Sequence, residues 1–140
     1  MVPVDDRSIH RVLVADSQCE WLVGVAQGLD RTSVTIRVAT SDRQTLQIVR
    51  NERLALAVVA GDMPRWGGLD LVRRVHQISI DLPVVLIGGR YDRHWLEEAL
   101  RLGALTVLPR PVSPSMVLAM ILKTLRMVRP PDWPREPGVN

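Results

Sequence analysis

The sequence contains a single cysteine, Cys19, among 140 residues. One cysteine excludes an internal disulfide and any metal site built from several thiolates. We expect it to be a buried structural thiol, because such thiols behave as small apolar side chains. The three histidines, His10, His76 and His94, are far apart and show no metal-ligand spacing. Neither a glycine-rich phosphate loop nor a Ser-His-Asp arrangement is recognisable, so no common catalytic motif is present.

Long apolar segments are also missing. The longest candidate, residues 116–122, has seven residues, whereas a membrane-spanning helix needs roughly 18 or more. Residues 1–7 lack the hydrophobic region of a signal peptide. We therefore expect a cytoplasmic protein with no membrane partner. Apolar residues nevertheless make up 46% of the chain, which is enough to bury the core of one domain.

Charge of one sign is not concentrated anywhere in the sequence. The net charge is +3, and Lys123 is the only lysine among the 18 basic residues. The arginines are spread along the chain. A nucleic-acid-binding protein usually presents a basic patch together with a recognition motif. Because neither is visible, we expect no direct binding to nucleic acid.

The remaining pattern alternates five strand-like segments with five helical ones. Three of the strand-like segments are continuously apolar, which is typical of strands covered on both faces. The pattern predicts an α/β fold with a parallel sheet between two layers of helices. Pro109 indicates that the fifth strand lies at an edge, since proline cannot donate to the ladder. The predicted strands are 11–15, 34–39, 54–59, 83–87 and 104–108, and the helices are 17–28, one after 42, one after 68, 93–102 and 114–128.

The two ends of the sequence differ from this central pattern. Residues 1–9 are predicted to be a disordered lead-in. Prolines from position 130 onward cannot continue a helix, so residues 129–140 are predicted to be a proline-rich tail or the start of a linker. The domain itself is therefore assigned to residues 10–128.

The centre of the sequence has an apolar strand before Ala60, then Met63-Pro64, Gly68 and an apolar helix. Asp16 follows the first strand, and Arg110-Pro111 follows the fifth. This pattern resembles the receiver domain of bacterial response regulators of the chemotaxis (CheY-like) type. The resemblance covers about residues 10–128 and implies a flavodoxin-like (βα)5 fold, a doubly wound five-stranded parallel sheet with order 2-1-3-4-5. It also implies a role in two-component or phosphorelay signalling.

In that family five groups hold Mg²⁺ and transfer a phosphoryl group. They are two carboxylates after the first strand, an aspartate ending the third, a hydroxyl ending the fourth and a lysine after the fifth. Here the corresponding residues are Asp16, Ser17, Ala60, Gly88 and Arg110. A methyl group cannot attack a phosphohistidine, and one carboxylate holds Mg²⁺ weakly. The resemblance therefore implies a degenerate pseudo-receiver that is not an enzyme and has weak or absent Mg²⁺ binding.

Two aspartates leave an alternative open. Asp62 lies two residues beyond Ala60 and, in an extended chain, would be displaced by nearly 7 Å, about two strand rises. A phosphoacceptor using Asp62 or Asp16 is the second hypothesis, and weak ion binding by the same pair is a variant of it. We expect Asp16 instead to pair with Arg110 or to cap the first helix, because a lone buried carboxylate needs a partner.

A domain without phosphoryl transfer must act by binding. The resemblance implies a protein partner or a homodimer on the face of helix 4, strand 5 and helix 5. On the last helix, 100° spacing predicts an adjoining arc of leucines beside a core face of five residues, Met116, Val117, Met120, Ile121 and Thr124. The predicted interaction surface comprises Trp95, Val107, Leu118, Leu122 and Leu125, although the leucines could equally bury against a neighbouring helix.

Trp66, in the loop after the third strand, is expected to plug the altered pocket or to dock a partner. A third hypothesis is a regulatory fragment of a DNA-binding regulator, which would require an output domain that this sequence does not show.

Overall fold

The structure is a computed structural model that describes residues 10–63, 65, 67–90 and 92–127. The predicted lead-in, the proline-rich tail and Trp66 lie outside these residues. The strands are β1 (His10–Ala15), β2 (Val34–Ala39), β3 (Leu56–Ala60), β4 (Val84–Ile87) and β5 (Ala104–Leu108). The helices are α1 (Leu22–Gly28), α2 (Asp42–Asn51), α3 (Gly67–Ile78), α4 (Arg93–Arg101) and α5 (Pro114–Met127).

The five strands form one parallel sheet in the order β2-β1-β3-β4-β5. This confirms the predicted flavodoxin-like (βα)5 fold. The residues Val12 to Ala15 of β1 are fully buried, as expected for a central strand covered on both faces. β5 lies at one edge of the sheet. Pro109 follows it directly and cannot donate a hydrogen bond, which an edge position tolerates.

Two apolar layers hold the helices on opposite faces of the sheet. Side chains that alternate along β1 enter different layers: Leu13 packs with α2, α3 and α4, and Val12 packs with α1 and α5. This follows from the period of two along a strand. Each face of the sheet therefore borders one of the two apolar cores.

Local capping fixes where several helices begin. Ser41 Oγ accepts a hydrogen bond from Gln44 N at 3.1 Å before α2, and Asp92 accepts one from Trp95 N at 2.9 Å before α4. Ser113 Oγ accepts from Met116 N at 3.2 Å, which confirms the predicted cap of α5. These bonds satisfy amide groups that the first helical turn leaves without partners.

The first helix is shorter than predicted. It begins at Leu22 rather than at Ser17. The reason is local: Asp16 accepts a hydrogen bond from Gln18 N at 2.9 Å, an aspartate turn that competes with helix formation. Residues 17–21 therefore form turns that return Trp21 toward the end of β1.

The predicted core face of α5 is confirmed at Val117, Ile121 and Thr124 but not at Met116. Val117, Ile121 and Leu125 are buried, whereas Met116 is 47% exposed. Because β5 is an edge strand, one side of α5 extends past the sheet, and its leucines pack against α1 instead. Placing Met116 in the core was wrong. Within the described residues, no helix is long and apolar enough to cross a membrane.

Candidate functional site

The predicted site residues meet at the carboxyl edge of the sheet. Asp16 follows β1, Ala60 ends β3, Gly88 follows β4 and Arg110 lies two residues beyond β5. In open parallel α/β sheets, ligands bind at this edge, near the point where the strand order reverses. Residues that are up to 94 positions apart in the chain therefore line one cleft.

Ala60 is 2% exposed and packs within the core between the sheet and α2–α4. Its side chain is a methyl group, so it supplies no oxygen that could form an acyl phosphate. The backbone beside it is tied to β4, since Gly61 N donates to Ile87 O at 2.7 Å. The end of β3 is thus packed apolar structure.

The Asp16 carboxylate is surrounded by protein donors. It is 2% exposed. Its Oδ1 accepts from Gln18 N at 2.9 Å, and its Oδ2 accepts from Arg110 Nη2 at 2.7 Å and from Trp21 Nε1 at 3.3 Å. A buried carboxylate is stable only when it is paired and hydrogen-bonded. The predicted pairing of Asp16 with Arg110 is confirmed.

Arg110 carries the positive charge of the cleft, and its side chain is 21% exposed. Asp62 Oδ1 and Glu20 Oε1 each lie 3.7 Å from guanidinium nitrogens. Burial acts to lower the pKa of Arg110, but the hydrogen bond and charge of Asp16, with help from Asp62 and Glu20, outweigh it and raise that pKa. Its Nε and Nη1 have no hydrogen-bond partner among the described residues, so Arg110 holds Asp16 through one strong bond rather than a bidentate fork.

Gly88 gives Arg110 the space that it occupies. The residue is buried and has φ +77°, a conformation that favours glycine. A Cβ placed there would lie 2.8 Å from Arg110 Nε and 3.2 Å from its Cδ. A serine or threonine at this position would therefore collide with Arg110. A residue larger than glycine at position 88 requires the Arg110 side chain to move.

The donor set does not fit Mg²⁺. Mg²⁺ requires near-octahedral oxygen ligands and is usually held by one or two carboxylates. Asp16 is the buried carboxylate of the cleft, and its oxygens already accept three hydrogen bonds. Ser17 is exposed in a turn. No group of three or more His, Cys, Asp or Glu among the described residues could hold a metal ion.

Asp62 lies at the rim of the cleft. Its side chain is 54% exposed, and its carboxylate is 3.7 Å from Arg110 Nη2. The turn after β3 thus brings Asp62 within the electrostatic reach of the guanidinium but leaves it in contact with solvent. The chain turns directly after β3, since Met63 N donates to Ala60 O at 3.3 Å, so the extended geometry assumed for the displacement of Asp62 does not hold.

The predicted interaction surface is partly wrong. Trp95 is 8% exposed and Leu125 is 6% exposed, so both belong to the cores. Val107, Leu118 and Leu122 are half-buried and pack against those cores. Leu118 lies over Gly28 of α1, where a Cβ would meet its side chain. The leucine arc of α5 is therefore largely the contact with α1.

A different apolar surface is exposed between β5 and α5. Leu105 is 49% exposed, Met116 is 47% exposed and Met127 is 72% exposed. Together with Leu108, Met120 and Lys123 they line what we call the β5–α5 groove, about 430 Å³ in volume. One feature of the sequence could have predicted this groove. Leu105 follows Ala104 in an edge strand, and successive side chains of a strand point to opposite faces, so Leu105 points away from the core that holds Ala104.

Cys19, in the turn before α1, is half-buried rather than fully buried. Burial raises the pKa of its thiol, and the negative charge of Asp16 raises it further. A thiol with a raised pKa is poorly nucleophilic at neutral pH.

A five-stranded parallel sheet with order 2-1-3-4-5, helices on both faces and a cleft at its strand ends defines the doubly wound, flavodoxin-like class of α/β domains. The model of the response regulator receiver domain family matches residues 12–122, so the chain belongs to that family, whose members serve two-component signalling. Receiver domains are signalling domains and generally not enzymes.

Known proteins support this assignment. The chain is similar to response regulator MprA of Mycobacterium sp. (strain KMS), with 26% identity over 130 residues, which cover 93% of this chain and 56% of that protein. It is also similar to the phosphoglycerate transport system transcriptional regulatory protein PgtA of Salmonella typhimurium, with 28% identity over 118 residues, which cover 84% of this chain and 28% of that protein. The chain spans about half the length of MprA and less of PgtA.

A solved structure shows the same fold. The receiver domain protein (CheY-like) from Methanospirillum hungatei superimposes with a TM-score of 0.76 at 22% identity, covering 86% of this chain and 96% of the other.

Proposed function

We propose that this chain is a pseudo-receiver that acts in the cytoplasm through phosphorylation-independent protein binding. The observation that carries the proposal is Ala60 at the end of β3, which places a buried methyl group where the family uses its nucleophile. Without an oxygen there, the acyl phosphate that switches an active receiver cannot form at that position.

The neighbouring residues support the same conclusion. In an active receiver, a divalent cation and a phosphoryl group would need open ligands in the cleft. Here Arg110 already supplies a cation to Asp16 at 2.7 Å, and its side chain occupies the space beside Gly88. The cleft is therefore closed by an internal ion pair, which favours one fixed arrangement over a phosphorylation-controlled pair of states.

The binding surface that we propose is the face of α4, β5 and α5. Exposed apolar side chains occur on all three elements: Leu100 lies on α4, and Leu105 of β5 lines one groove with Met116 and Met127 of α5. Clustered exposed apolar residues mark interfaces more often than scattered ones, and methionine adapts to varied partners. A protein partner or a second copy of the chain would bury this face.

Incubation with acetyl phosphate and Mg²⁺, followed by intact-mass measurement, tests the absence of phosphoryl transfer. We expect the mass to stay unchanged, and the Asp62→Asn variant to behave identically. A species heavier by one phosphoryl group in the wild type would contradict the proposal, and its loss in Asp62→Asn or Asp16→Asn would assign the acceptor.

One observation favours the alternative acceptor Asp62. Its carboxylate is 54% exposed and 3.7 Å from Arg110 Nη2, so an oxygen could attack the phosphorus of acetyl phosphate, expel acetate and leave the new phosphate beside a guanidinium. Asp16 has no such access, because it is buried and bonded to three donors. The mass experiment separates Asp62 from Asp16.

The third hypothesis concerns a longer protein. MprA and PgtA are both longer than the matched region, and the name of PgtA describes a transcriptional regulatory protein. Residues 10–127 supply one α/β domain, so DNA binding by a regulator that contains it would depend on further residues. A DNA-binding assay on such a protein, with and without this domain, would test that role.

A further inference from the structure

The β5–α5 groove has an apolar floor and one positive charge at its rim. Its exposed side chains are Leu105, Met116 and Met127, and Lys123 stands among them on α5. None of the described residues forms an ion pair with Lys123, the only lysine in the chain. An occupant that fits should present a large apolar side chain next to an acidic one.

The chain itself continues from one end of this groove. α5 ends at Met127, which lines the groove, and 13 further residues follow. Met116 and Met127 are separated by about 16 Å along the helix at 1.5 Å per residue. Six residues of extended chain, from Met127 to Trp133, span up to about 20 Å. A reversal of direction uses two or three of these residues, so Trp133 reaches the end of the groove between Met127 and Met120, about 10 Å along the helix.

The sequence of this continuation has the required chemistry. Asp132 directly precedes Trp133, and Arg135 and Glu136 follow it two and three positions later. Pro130 and Pro131 cannot extend α5, and prolines reduce the conformational entropy that a segment loses on docking. The apolar and acidic features thus occur together, in the segment that is tethered to the groove.

We propose that residues 129–140 fold back onto the β5–α5 groove, with Trp133 as the apolar anchor and Asp132 or Glu136 facing Lys123. This rests on the proposed function, because the same face is the proposed binding surface. The tail then competes with a protein partner for the groove. Tethering raises its effective concentration to the millimolar range of short linkers, so a partner must bind more tightly than the tail to displace it.

Methionine methyl NMR of the full chain tests the proposal, because three of the five methionines, Met116, Met120 and Met127, line the groove. The ring of a docked Trp133 shifts methyl signals near it. We expect Trp133→Ala to move the groove methyl signals toward values for solvent-exposed methionine. Met63, buried in the other core, should not move and reports that the fold is intact. Val139→Ala is the matched control in the same tail.

The outcomes are distinct. Groove signals that change in Trp133→Ala, stay unchanged in Val139→Ala and do not depend on protein concentration support the docked tail. Groove signals identical in wild type and Trp133→Ala overturn it. Signals that move with protein concentration and not with Trp133→Ala also overturn it and identify a second copy as the occupant. None of these results alters the acetyl phosphate outcome, so the tail proposal and the proposed function can fail separately.

Discussion

Replacing Arg110 with alanine should expose how far the cleft depends on its internal ion pair. The substitution removes the 2.7 Å hydrogen bond to Asp16 Oδ2 and leaves a carboxylate that is 2% exposed. Asp16 then keeps only Gln18 N and Trp21 Nε1 as donors. A buried charge that loses its counter-ion destabilises the native state.

The size of the effect follows from the geometry. Removing one partner of a fully buried ion pair costs about 3–5 kcal/mol. Arg110 is 21% exposed and makes one hydrogen bond to Asp16, so water can partly replace it, and about 2 kcal/mol is the expected loss. For a domain of this size that lowers Tm by about 8 °C. Mg²⁺ at millimolar concentration should leave the wild-type Tm unchanged.

Thermal and urea unfolding of matched variants provides the assay. Arg110→Met keeps most of the side-chain length without the charge and should lose nearly as much stability as Arg110→Ala. Arg101→Ala is the control, because Arg101 pairs with Glu98 on the exposed face of α4 and such pairs contribute little. If Arg110→Ala unfolds at the same temperature as Arg101→Ala, the ion pair does not hold the cleft. Clear stabilisation of the wild type by Mg²⁺ would also refute the reasoning.

Three further predictions follow from packing and burial. Gly68→Ala should lower the free energy of unfolding by about 2 kcal/mol through overpacking, since its Cβ would lie 2.5 Å from Gly61 Cα; urea unfolding checks this, and unchanged stability contradicts it. Leu125→Ala should lower the free energy of unfolding, measured in urea, by about 3 kcal/mol. Met116→Ala, at a 47% exposed position, should lower it by less than about 0.5 kcal/mol. Equal losses would mean that the buried and exposed faces of α5 are misassigned. Cys19 should react with iodoacetamide more slowly in the native state than in denaturant at the same pH, because its raised pKa lowers the thiolate fraction; faster native alkylation would disprove that.

Much of the fold was predictable because local patterns and the sheet reinforce each other. Continuous apolar segments predicted the central strands, and serine before proline predicted the start of α5. The loss of the nucleophile could be seen directly at Ala60. The start of α1 was placed too early, at Ser17. The aspartate turn at Asp16 delays the helix until Leu22, and that turn is not visible in the helical spacing of the apolar residues.

By itself the sequence determined which groups the cleft lacks and which strands fill the centre of the sheet, because side-chain chemistry and the strand period are local properties. Only the tertiary structure decided which partners meet: Arg110 reaches Asp16 across 94 residues, and it can do so because Gly88 has no side chain to block it. The same applies to α5. A helical repeat gives the angles between side chains but not which angle faces the core, and the edge position of β5 turned Leu125 inward and Met116 outward.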